Sequence, residues 1–213
     1  MMETTYGVLP NGEVPTYKNY PREYNCWMAM LGRCSDEQKE KSYYYSIYKE
    51  EWSCLANFIQ DMKLIENYEI WRDNPNCRIV LDKDIKCPVK SKDCTNKYEK
   101  MYCVENCMFV PAIVNSQERN YRPGGSNVPY IVMYKGEEIM RIKNNIHFFA
   151  FIFHNGLEDK YFDLFELYGQ ENFTFNDYTF IFDEQEYFNQ IQKLIEEEIV
   201  HQTLVDRRKG DLE

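Results

Sequence analysis

The clearest helical spacing begins at Tyr45. Tyr45, Tyr48, Trp52, Leu55, Ile59 and Met62 follow one another at steps of three and four, with Lys49, Glu50, Gln60 and Asp61 between them. That stripe predicts an amphipathic helix ending near Leu64. Arg72-Asp73-Asn74-Pro75 reads as a turn, and Cys77 to Leu81 as a short strand. A second strand is expected over 109–115, interrupted by Pro111, which favours an edge or a strand starting at Ala112. Tyr130 to Tyr134, Lys135-Gly136 and Glu137 to Ile142 form the pattern of a β-hairpin. The apolar run Phe148–Phe153 follows Asn145, a candidate cap, and stops at Gly156; its length leaves helix and strand both open. Further on, Tyr161 to Leu167 suggests a short helix and 173–182 a strand. A long helix is expected from about Asp183 to Leu204, with Tyr187, Phe188, Ile191, Leu194, Ile195 and Ile199 on one side. Residues 1–40 show no sustained period and read as an irregular arm with a short helix around Cys26 to Leu31.

Helices and strands therefore alternate, which predicts an α/β layer arrangement with a sheet covered by helices. The expected organisation is an N-terminal arm (1–40), a central domain (41–156) and an acidic, aromatic-rich α/β extension (157–213) ending in the long helix.

Charge sharpens this division. The chain of 213 residues carries a net charge of −10, and 15 acids against 5 Lys or Arg from Glu158 onward account for all of it. An acidic third without a basic groove argues against nucleic acid and suggests either a solvated surface or a basic protein partner. No apolar run approaches the ~20 residues of a membrane span. The N-terminus lacks a basic stretch followed by an apolar one, so the expected location is intracellular and reducing.

The hairpin carries a family resemblance. Val128-Pro129, then Tyr130-Ile131-Val132-Met133-Tyr134, then Lys135-Gly136 and a return strand resemble the thioredoxin superfamily, where a cis-proline precedes such a hairpin. In that family the redox cysteines follow a central strand roughly forty residues earlier. Here Cys87 lies 42 residues before Pro129, just past the strand at 77–81. Residues 110–120 resemble the intervening parallel strand, and the helix at 45–64 the one before the central strand. The resemblance covers about residues 40–155 and implies a thioredoxin-like central mixed sheet flanked by helices, with a structural cis-proline at Pro129. The chemistry departs from it: Lys86 precedes Cys87 and Lys90 holds the resolving position, so the Cys-x-x-Cys pair is missing.

Eight cysteines offer further chemistry, at 26, 34, 54, 77, 87, 94, 103 and 107. Cys87 is the candidate nucleophile, a thiol that a helix N-terminus and Lys86 or Lys90 would acidify, with Cys94, one and a half to two helical turns further on, as the candidate second thiol. Cys87, Cys94, Cys103 and Cys107 together could hold a zinc ion, although their spacing is irregular. Without a metal they would be free or form a structural disulfide, and no other cofactor is expected.

Three functions remain after this reading. The first is a non-catalytic thioredoxin-like structural or assembly protein working through protein–protein contacts within a larger assembly. The richness in Asn, Lys, Tyr, Ile and Phe is similar in character to minor structural proteins of large DNA viruses, which implies a minor capsid or virion component. The second is a monothiol or atypical thiol–disulfide oxidoreductase using Cys87. The third is a zinc-stabilised adaptor built on the 87–107 cysteines.

Overall fold

The computed structural model describes residues 4–35, 46–87 and 101–210, with side chains up to 205. The chain is mixed α/β and divides into two compact units, Met1–Ala112 and Ile113–Glu213. The boundary falls inside the stretch 41–156 expected to be one domain.

The first unit is built on α1 (Pro21–Arg33), α2 (Leu55–Met62) and α3 (Tyr68–Asp73), with two small sheets. In one, β1 (Ile47–Tyr48) runs parallel to β3 (Met101–Tyr102); in the other, β2 (Ile79–Asp82) is antiparallel to β4 (Met108–Pro111). The supposed arm is part of the core. Pro21 opens α1 at a position where its missing N–H costs nothing, and Trp27 and Met30 are buried among Trp52, Phe58, Ile59 and Phe109. Trp27 Nε1 donates to the Trp52 carbonyl at 2.7 Å, which satisfies a buried indole. The expected helix over 45–64 is shorter than its stripe. A 3-10 turn at Glu50–Ser53 precedes α2, and Trp52, Leu55, Phe58, Ile59 and Met62 face the core.

Two further differences concern the strand before Cys87. The resemblance implied a parallel neighbour within one mixed sheet, but β2 pairs antiparallel, with Ile79 opposite Pro111 and Leu81 opposite Phe109. The strand expected over 109–115 ends at Pro111, and Ala112–Gln117 is helical (α4).

The second unit is a four-stranded antiparallel sheet. Its strands are β5 (Tyr130–Tyr134), β6 (Glu137–Ile142), β7 (Asn172–Phe175) and β8 (Tyr178–Phe182), in the order β6-β5-β8-β7. The expected hairpin is present; Lys135 (φ 51°) and Gly136 (φ 90°) both take left-handed backbone, as a two-residue turn of matching twist requires. The predicted single strand over 173–182 is instead a second hairpin turning at Asn176 (φ 53°) and Asp177. Residues 157–213 are therefore no appendage, because β8 lies between β5 and β7.

Helix α5 (Asn145–His154) is capped by Asn144 rather than Asn145: the Asn144 side chain accepts the His147 N–H at 3.1 Å. With α6 (Tyr161–Leu167), α5 covers one face of the sheet, burying Phe148, Phe151, Ile152 and Leu164 against Tyr130, Val132, Phe173 and Phe180. The last helix, α7 (Glu184–Gly210), begins at a capping residue, Asp183, whose carboxylate accepts the Glu186 N–H and pairs with Arg141 at 3.0 Å. Tyr187, Ile191 and Ile195 form its buried stripe.

Candidate functional site

Directly after β2 the chain turns through Asp82-Lys83-Asp84-Ile85-Lys86 to reach Cys87. The buried Asp82 carboxylate accepts the N–H groups of Asp84 and Ile85 at 2.7 and 2.8 Å, which shapes the turn. Lys83, itself buried, pairs with Asp84 at 2.8 Å and lies over the Tyr102 ring. Burial, and then the neighbouring Asp84 charge, holds the Asp82 carboxyl above its ordinary range. Lys86, expected to acidify the thiol, is paired with Glu66 at 3.0 Å. Cys87 is half-buried, and its N–H donates to the Asp84 carbonyl at 3.1 Å. The hydrogen bonds and ion pairs of this turn hold backbone and neutralise cations; that is a structural clasp.

Among the described residues, the other proposed site residues form no cluster around it. Cys94 lies outside the described residues. Cys103 and Cys107 bracket one tight turn, with the Cys107 N–H on the Cys103 carbonyl at 3.1 Å. Burial pushes both thiols up, the opposite of activation. Among the described residues no three His, Cys, Asp or Glu side chains are grouped to hold a metal, so Cys87, Cys103 and Cys107 do not form three corners of a zinc site. Pro129 belongs to the second unit and Cys87 to the first. No cis peptide occurs among the described residues, so Val128–Pro129 is trans, contrary to expectation. Pro129 instead leads straight into β5, and its carbonyl accepts the Asp183 N–H at 3.0 Å, tying the start of the sheet to the start of α7.

A feature with clear functional geometry lies on the outer side of α5 and α6. Phe149 and Phe153 are four residues apart on α5, as Tyr161 and Phe165 are on α6, so each pair shares a helix face. The rings of Phe149, Tyr161 and Phe165 stack nearly parallel, with centroids 5.7 to 6.4 Å apart. Phe162 stands edge-on to Tyr161 at 5.4 Å. Phe162 is 79% exposed, Phe153 61% and Phe165 50%. Glu158, Asp159, Asp163 and Glu166 are exposed on the same segment, where Lys160 is paired with Asp159 at 3.4 Å. The sequence signal was present: Phe162 and Phe165 flank Leu164, which alone of the three is buried. A short amphipathic helix does not require three apolar directions.

Among the described residues no helix is long and apolar enough to cross a membrane. No protein-family model, no curated protein and no solved structure matches the chain.

Proposed function

We propose that the chain is a non-catalytic structural or assembly protein that works through protein–protein contacts, with the aromatic face of α5 and α6 as its docking surface. The observation that carries this reading is the exposure of Phe162 and Phe165 on the acidic segment 158–166, with Phe153 exposed on α5. Exposed aromatic clusters of this kind are typical anchors of protein interfaces. Covering the remaining exposed parts of the three rings is worth roughly 3–6 kcal/mol before the costs of association are met. The partner suited to the surface is a basic, partly apolar segment, because arginine can stack on exposed rings and pair with Asp159, Asp163 or Glu166.

A divergent thioredoxin-like relationship draws its support from the hairpin β5–β6 alone, with Val128-Pro129 before it and Lys135-Gly136 at its tip. Incorporation into a virion as a minor capsid component is the assembly that the residue usage favours.

The test is fluorescence anisotropy with a labelled helical peptide of arginine and leucine, compared with its glutamate–leucine counterpart. The arginine peptide should bind, weaken with added salt, and be lost in Phe162→Ala and in Asp163→Lys. Equal binding of both peptides, or unchanged binding to Phe162→Ala, would remove the surface from consideration.

A further inference from the structure

In the first unit, α1 runs beside β2 and leaves a groove of about 290 Å³. Arg22, Cys26, Ala29 and Arg33 line it from α1 at steps of four, three and four, which is one face of a helix. The opposite wall is the consecutive segment 77–81, which runs into β2. A wall made of consecutive residues is a backbone edge, since side chains alternate between faces.

Among the described residues, the hydrogen bonding of β2 leaves this edge without a strand partner. The Ala112 N–H donates to the Arg78 carbonyl at 2.9 Å, on the β4 side. In an antiparallel pair, alternate residues direct their backbone groups to opposite sides, so Arg78, Val80 and Asp82 serve β4 while Ile79 and Leu81 point away from it. Two contacts agree with this. Phe109, opposite Leu81, turns its N–H away from β2 to the Glu66 carbonyl at 3.0 Å. Arg33 reaches the Leu81 carbonyl from α1 at 3.2 Å. The Ile79 N–H closes locally on the Cys77 carbonyl at 2.9 Å. Among the described residues, the Ile79 carbonyl and the Leu81 N–H are left as an acceptor and a donor on the groove side.

The charges of the groove are one-sided. Among the described residues no carboxylate lines it. Arg22 is held over the Trp71 ring at 4.1 Å and donates to the carbonyls of Trp71 and Arg72, so backbone fixes its guanidinium, and among the described residues no acid pairs with it. Arg78 is exposed and meets no acid among the described residues. Glu23, on α1, is the acid whose field reaches Cys26, where Arg33 and Arg22 oppose it.

We propose that this groove is a second docking site, which takes an extended acidic segment of a partner protein as an added strand on the open edge of β2. The added strand gives one N–H to Ile79 and one C=O to Leu81, and its carboxylates meet Arg22 and Arg78. This is the strand-addition mode of peptide recognition, in which main-chain bonds supply affinity and flanking groups supply selectivity. The site stands independently of the aromatic face and selects a partner of the opposite charge.

The experiment uses the full chain and labelled short peptides alternating valine with glutamate, valine with lysine, and valine with glutamate carrying N-methyl groups on alternate amides. The glutamate peptide should bind and the lysine peptide should not. N-methylation should abolish binding if its methyl groups fall on the pairing edge, so both registers of methylation are measured and one must fail. Arg78→Glu, an exposed change, should weaken the glutamate peptide roughly tenfold or more. Phe162→Ala should leave it unchanged, which separates this site from the aromatic one. Full binding of both methylated peptides, or wild-type affinity in Arg78→Glu, would overturn the proposal. So would no glutamate-peptide binding at millimolar concentration, or sedimentation showing a dimer that Arg78→Glu dissociates, which would make a second copy the occupant.

Discussion

Phe162→Ala separates a ring that docks from a ring that packs. The side chain is 79% exposed, so the fold gives up only about a fifth of its burial. With 1.5–3 kcal/mol for complete burial of a phenylalanine, that loss is about 0.3–0.6 kcal/mol. The edge contact with Tyr161 at 5.4 Å adds about 0.5–1 kcal/mol, at the lower end for aromatic pairs because the site is wet. The total stays below about 1.6 kcal/mol, well short of the 5–15 kcal/mol that holds an ordinary domain. A partner that covers the ring loses the other four-fifths, about 1.2–2.4 kcal/mol, or roughly 8- to 60-fold in Kd. The control is Phe148→Ala. That ring is fully buried, 4.6 Å from Tyr168 and 5.8 Å from Phe180, and its removal should cost about 3–5 kcal/mol. Urea unfolding followed by far-UV circular dichroism measures the stability side, and anisotropy with the arginine–leucine peptide measures the binding side. Trp27, Trp52 and Trp71 are the chain's 3 tryptophans, so their fluorescence reports on the first unit and is the internal reference. The reasoning fails if Phe162→Ala destabilises as much as Phe148→Ala, or if it keeps full peptide affinity.

Other outcomes follow from buried groups and strained turns. Cys103 and Cys107, with thiols raised by burial, should resist iodoacetamide in the native protein and react once it is denatured; mass spectrometry showing rapid native labelling of either would contradict this. Asp82 holds its proton more tightly folded than unfolded, so stability should fall as pH rises from the ordinary aspartate value of about 3.9 through the higher folded one. Asp82→Asn keeps the acceptor for Asp84 and Ile85, and should flatten that profile without loss at neutral pH; denaturation at several pH values would refute it by showing a steeper decline. Lys135→Asn places a residue that tolerates left-handed backbone at φ 51°, and should raise stability by about 0.5–1 kcal/mol in urea titrations, where a loss would count against the turn assignment.

What was legible in the sequence was local. Tyr130 to Ile142 announced its hairpin because strand, turn and return strand are contiguous. Tyr187, Ile191 and Ile195 announced α7 through their period. The trans Pro129 and the antiparallel β2–β4 pair could not be read in that way, because pairing direction depends on residues that are distant in sequence. Helix α1 was legible in part: a short helix is expected around Cys26 to Leu31, inside Pro21–Arg33, but Gly, Pro and Asn before it mask the first turns, where Tyr20 and Tyr24 continue the spacing of Trp27 and Met30. The 173–182 run was read as one strand because its aromatic density masked the turn at Asn176-Asp177. The candidate sites followed the same rule. Cysteine spacing drew attention to Cys87, whereas the open edge of β2 is a property of backbone direction and has no residue type to mark it.

Placing Tyr178–Phe182 in the middle of the sheet also sets a clock on biosynthesis. Tyr134, the last residue of β5, is translated 44 positions before Tyr178, the first of β8. At 5–20 residues per second, the nascent chain carries β5 without its β8 neighbour for roughly 2–9 s. Throughout that interval the apolar edge of β5 is a template for pairing with a neighbouring nascent chain. Ribosomes that stall between the two hairpins would prolong it, and an early stop codon there would make it permanent. The second unit is therefore most open to mispairing during a defined stretch of its own message.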